Sequence, residues 1–107
     1  MGDKPMFTKE TAEKRVAELI NAEFHDPDGD ELAIVSEETI DTSYGWVFFY
    51  NSRKYLETGE FSQRLAGNGP VVFEKETGEM HRLGSYAPPD VLIREFEMNR
   101  EKRSRDT

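Results

Sequence analysis

A chain of 107 residues, 36% apolar and 34% charged, is long enough for one hydrophobic core and too short for a core plus a second independent domain. It has no cysteine, which excludes a disulfide framework, a thiol nucleophile and a thiolate metal site. No run approaches the roughly 20 apolar residues of a membrane span, and Met1-Gly2-Asp3-Lys4-Pro5 lacks the hydrophobic core of a signal peptide, so the expectation is a cytoplasmic protein with no membrane association.

The net charge of -8 is unevenly spread. The last eight residues hold Arg100, Lys102, Arg103 and Arg105 against Glu101 and Asp106, which leaves 10 basic and 20 acidic side chains on the other 99 residues. An acidic body with a short basic tail repels nucleic-acid phosphates and anionic membranes and steers a basic protein toward itself. The plainer reading is that the charge keeps a small protein soluble.

Thr8 is a good N-cap, and behind it Ala12, Val16, Leu19, Ile20 and Phe24 recur at helical spacing opposite Glu10, Glu13, Lys14, Glu18 and Glu23. This predicts an amphipathic helix laid on a sheet, with Met6 and Phe7 stapling its first turn. Asp26-Pro27-Asp28-Gly29-Asp30 predicts a turn. Its aspartates fall at calcium-loop spacing with Glu37 in twelfth place. Glu31 stands where such a loop bends at glycine, however, and Leu32-Ala33-Ile34-Val35 looks like a strand rather than an exiting helix.

Leu32 to about Ile40 reads as the first strand, with Glu37 and Glu38 as surface charges: neighbours on a strand point to opposite faces and cannot converge on one bond. Asp41-Thr42-Ser43-Tyr44-Gly45 turns the chain into Trp46-Val47-Phe48-Phe49-Tyr50, the central strand. Trp46, Phe48 and Tyr50 alternate with Val47 and Phe49, so both faces are apolar and both need cover. Either helices of the same chain supply it, or part of the aromatic face is left for a partner, a second copy included.

Residues 52–69 have no clean period, and so long a loop is usually functional or ordered by its own packing, with Tyr55, Phe61 and Leu65 as anchors. Gly67-Asn68-Gly69-Pro70 lacks the lysine and following helix of a phosphate cradle and predicts a tight turn in which Gly67, Asn68 and Pro70 set the start of a strand. Val71-Val72-Phe73 and Met80 to Leu83 are the third and fourth strands, joined through Glu76-Thr77-Gly78. Pro88-Pro89-Asp90 opens a helix of about two or three turns, and the tail from Arg100 is expected to fray. The fold class is therefore α+β: an N-terminal amphipathic helix on a four-stranded antiparallel meander sheet, with a short C-terminal helix.

Catalytic chemistry is hard to find. His25 sits at a helix end, where an imidazole meets the last carbonyls, and His81 lies in a strand with no recognisable partner. No metal-ligand spacing links them and no serine occupies a nucleophile elbow. The reading is a binding protein, not an enzyme, that needs no cofactor or metal.

Gly45-Trp46-Val47-Phe48-Phe49-Tyr50-Asn51-Ser52, Tyr55-Leu56-Glu57-Thr58-Gly59, Ala66-Gly67-Asn68-Gly69-Pro70-Val71-Val72-Phe73 and Thr77-Gly78 together resemble the YrhB-like family, the family-thirty-five immunity proteins. The resemblance covers nearly the whole chain. It departs only where Glu74-Lys75-Glu76 replaces a segment that usually carries an aspartate. It implies a small α+β domain from a bacterial polymorphic-toxin locus that neutralises a cognate toxin, often a peptidase, and some members are described as chaperone-like. On that basis Trp46, Tyr50 and Tyr55 are the expected anchors and Glu37, Glu38, Glu57 and Glu60 the steering charges toward a basic toxin. For each anchor the competing role is core packing, and it is the favoured one for Trp46 because indoles are usually well buried. The alternative function is a chaperone-like holdase or general protein-interaction module with an exposed apolar face.

Overall fold

The computed structural model describes residues 6–64 and 69–105. Helix α1 (Lys9–Ala22) starts where expected, with the Thr11 amide donating to the Thr8 hydroxyl at 3.2 Å. Six strands follow: β1 (Leu32–Ile34), β2 (Ile40–Asp41), β3 (Gly45–Phe48), β4 (Tyr50–Ser52), β5 (Val71–Glu74) and β6 (Met80–Arg82). Between β4 and β5 lies the short helix α2 (Arg53–Thr58), and α3 (Pro89–Arg105) closes the chain. β2, β3, β5 and β6 form the four-stranded antiparallel meander, while β1 and β4 pair as a separate two-stranded ribbon.

The predicted first and central strands are each split in two, and register explains why. Ile34 faces Tyr50 and Ile40 faces Val47, so residues 35–39 on one side oppose only residues 48 and 49 on the other. The surplus is taken up by a 3-10 turn, Ser36–Glu38, which bends the hairpin as a large bulge does. Glu37 and Glu38 therefore sit on this exposed turn and not on a strand.

Side-chain alternation survives the break. Phe48, Tyr50, Val71 and Phe73 pack under Ala12, Val16 and Ile20 of α1, with Trp46 against their edge. Val47 and Val72 point the other way, to Tyr44, Phe49, Ile93 and Phe96. Phe48, Phe73, Val47, Val71 and Val72 are fully buried, each contributing about 1.5–3 kcal/mol. Both faces of the sheet are thus covered by helices of the same chain. Phe7 packs beside α1, with the Arg15 guanidinium 5.0 Å from its ring centroid, and reaches the sheet as well: its amide donates to the Lys75 carbonyl at 3.0 Å and its ring meets Phe73 edge-on at 5.2 Å.

α3 corrects the expectation of a short helix with a frayed tail. It runs 17 residues to Arg105, because Ile93, Phe96, Glu97 and Arg100 recur on one face and the last two bond to the sheet. Residues 101–103 are exposed.

α1 is tied to the ribbon by one side chain. Asn21 Nδ2 donates to the carbonyls of Ala17 and Leu32, both at 2.9 Å, and its Oδ1 accepts the Leu32 amide at 2.8 Å. Asn21→Ala is expected to cost about 1–2 kcal/mol, read as a lower urea midpoint with an unchanged m value.

Candidate functional site

Two polar clusters are built on this frame. The first clasps α3 to the sheet. Glu74, one residue past Phe73 on β5, is 7% exposed. Its Oε2 lies 2.6 Å from His81 Nε2 on β6, and its Oε1 accepts Arg100 Nε at 3.1 Å. Burial alone would raise the Glu74 carboxyl, but the bonds from His81 and Arg100 outweigh it and hold the group below its ordinary value. Arg100 also lies over the Tyr44 ring, 4.8 Å from its centroid, and the Tyr44 hydroxyl donates to Glu97 at 2.8 Å. Burial, reinforced by Glu97, pushes that phenol well above its usual range.

His81, expected to be unpaired, thus has a carboxylate partner, and its ring also packs on Phe96 at 4.9 Å. Glu74, Glu79 and His81 each bring a ligand atom within 4.8 Å of the others. Binding a cation there would require His81 and Arg100 to let go of Glu74, so the arrangement favours the ion pair over a metal. The pairing had no local signal in sequence, because it joins residues seven and 26 positions apart.

The second cluster is the knuckle formed by α2 and the 3-10 turn Phe61–Gln63, where the sequence suggests only a loop. The missed signals were Ser52 as an N-cap, whose hydroxyl accepts the Tyr55 amide at 3.2 Å, and Gly59 as a left-handed C-cap at φ 75°. Asp30 joins the cap: its carboxylate accepts the amides of Lys54 at 3.2 Å and Glu31 at 2.8 Å and the Ser52 hydroxyl. Burial pulls its carboxyl up, and these bonds more than reverse the effect. Asp26 in turn accepts the Asp30 amide at 2.9 Å. The aspartates that mimic a calcium loop therefore serve a turn and a helix start.

The structure separates the expected anchors. Tyr50 is 7% exposed and packs in the core. Trp46 is half-buried, its ring 6.2 Å from Phe73. Trp46→Ala is expected to cost about 2 kcal/mol of stability, visible as a lower melting temperature. Tyr55 is half-buried on α2 beside exposed Glu57, and exposed Glu60 follows the helix, so these three share the knuckle. Glu37 and Glu38 stand on the turn between β1 and β2. Pro70 is buried ahead of β5, its carbonyl accepting the Leu83 amide at 2.9 Å. Leu65, Gly67 and Asn68 lie outside the described residues.

Fold and site together define a small α+β domain whose polar clusters fasten elements to one another. Its sequence matches the model of the immunity protein 35 family over residues 10–96, from α1 to the middle of α3. The chain belongs to that family. It is also 40% identical over 58 residues to a protein of Escherichia coli (strain K12) described as uncharacterized protein YrhB, a match that covers 54% of this chain and 62% of that protein. No solved structure matches it. No helix among the described residues is long and apolar enough to cross a membrane.

Proposed function

We propose that this protein binds a cognate bacterial toxin of the peptidase kind and neutralises it in the cytoplasm, without catalysis of its own. Membership of the immunity protein 35 family, through a match that takes in all six strands, is the observation that carries this reading. The acidic chain, net -8, supports a basic toxin as partner by raising the rate of encounter. A holdase is less well served by this fold, because both faces of the sheet are already covered and leave no broad apolar platform among the described residues.

The test is co-expression with the toxin encoded beside this gene. The expected result is restored growth and a stoichiometric complex whose association slows with salt. Failure to protect against that toxin, together with suppressed aggregation of unrelated unfolded proteins, would overturn the proposal in favour of the holdase.

A further inference from the structure

We infer that the α2 knuckle is the surface that enters the toxin, with Phe61 as the central anchor, Leu56 five residues before it and carboxylates at the rim. The inference rests on the immunity reading above. Phe61 is 75% exposed and Leu56 42% exposed. Tyr86 is as bare, at 74%, but its hydroxyl is bonded to Glu95 and gives the ring a reason to lie at the surface. Phe61 has no polar atom to satisfy, so its exposure leaves a full aromatic face in water.

That face is held still. A six-residue helix is unstable by itself, yet α2 is capped by Ser52, Asp30 and Gly59 and braced by Arg53, which pairs with Glu31 and, at 3.2 Å, with Glu57. Lys54 Nζ reaches the Asp28 carbonyl at 3.2 Å, and the Arg64 guanidinium lies 5.5 Å from the Phe61 ring centroid. These ties fix the helix that leads into Phe61, so little of α2 remains to be ordered when the surface is bound.

Charge identifies the occupant. Arg53 is paired with Glu31 and Glu57, Lys54 bonds to the Asp28 carbonyl and Arg64 lies against the Phe61 ring, while the carboxylates of Asp28 and Glu60 form no ion pair among the described residues. The complementary surface is an apolar pocket, sized for a phenyl ring, with lysine or arginine at its edge. Among the anchors expected from sequence, Tyr50 is replaced in this role by Phe61, while Tyr55, Glu57 and Glu60 remain on the binding element.

The experiment uses the toxin that the wild-type protein neutralises, titrated calorimetrically and by stopped flow with Phe61→Ala, Leu56→Ala, Glu60→Lys and, as a control remote from the knuckle in sequence, Tyr86→Ala. Phe61→Ala is expected to weaken binding at least about 30-fold without changing the melting temperature. Glu60→Lys is expected to slow association about 3- to 10-fold at low salt, and the difference should vanish at high salt. Tyr86→Ala should bind as wild type does. If the wild type neutralises the toxin and Phe61→Ala and Leu56→Ala bind it equally well, the knuckle is the wrong surface and the immunity function stands. If the wild type neutralises no toxin, both fall. If Phe61→Ala turns a wild-type dimer into monomers while toxin binding is untouched, the knuckle's occupant is a second copy and the inference is overturned.

Discussion

Gly45→Ala is expected to lose about 4 kcal/mol and to leave the protein largely unfolded at physiological temperature. Gly45 opens β3 directly opposite Glu74, and its backbone lies at φ 155°. A Cβ placed there would stand 1.9 Å from the Phe73 carbonyl oxygen and 3.1 Å from the Glu74 Cα, both backbone atoms of the neighbouring strand. No rotamer relieves such a clash. β3 would have to separate from β5, opening the ladder that carries Phe48 and Val47 into the two cores. Far-UV circular dichroism at rising urea measures the loss. A midpoint within experimental error of wild type would show that the two strands can part at this end without disturbing either core.

Glu74→Ala is the second large effect, at about 3 kcal/mol, or roughly 15 °C in melting temperature for a domain of this size. The substitution leaves Arg100 and His81 without the carboxylate they share and takes away one of the bonds that hold α3, leaving that of Tyr44 to Glu97. The pH profile separates charge from packing. Because the Glu74 carboxyl is held below its ordinary value of 4.5, its contribution is complete above that value and disappears as pH falls through the lowered one. The groups facing it are His81 and Arg100, with Glu79 close by. Wild type should hold its melting temperature from about pH 7 to 5 and lose it steeply below about 4, while Glu74→Gln starts lower and falls less. A gap between the two that is constant over the whole range would mean that Glu74 acts through a hydrogen bond alone.

What could be read from the sequence was whatever period or local chemistry writes down. The α1 stripe, the alternation through Trp46–Tyr50, the start of α3 at Pro89 and the meander order are all repeated signals, and each appears in the fold. The split of the hairpin was invisible, because register depends on pairing between residues far apart and Ser36–Glu38 has the composition of either a strand or a turn. α2 was missed because its caps are single residues and one of them, Asp30, comes from another loop. Exposure cannot be read from residue type: Tyr50 and Phe61 are both aromatic, yet one ring is 7% exposed and the other 75%.

The bonds of Asn21 bear on how the protein behaves in a crowd of its own copies. β1 lies at the margin of its ribbon, and the ladder bonds at Glu31 and Val35 leave the amide and carbonyl of Leu32 directed outward. A bare edge of that kind is a template on which another chain's strand can build. Asn21 supplies the donor and the acceptor a foreign strand would bring, in the same pairwise arrangement, and so occupies the first docking position. The adjacent turn at Ser36–Glu38 then bends the edge away and sets two carboxylates beside it. One carboxamide thus guards this margin of the sheet against pairing with another copy.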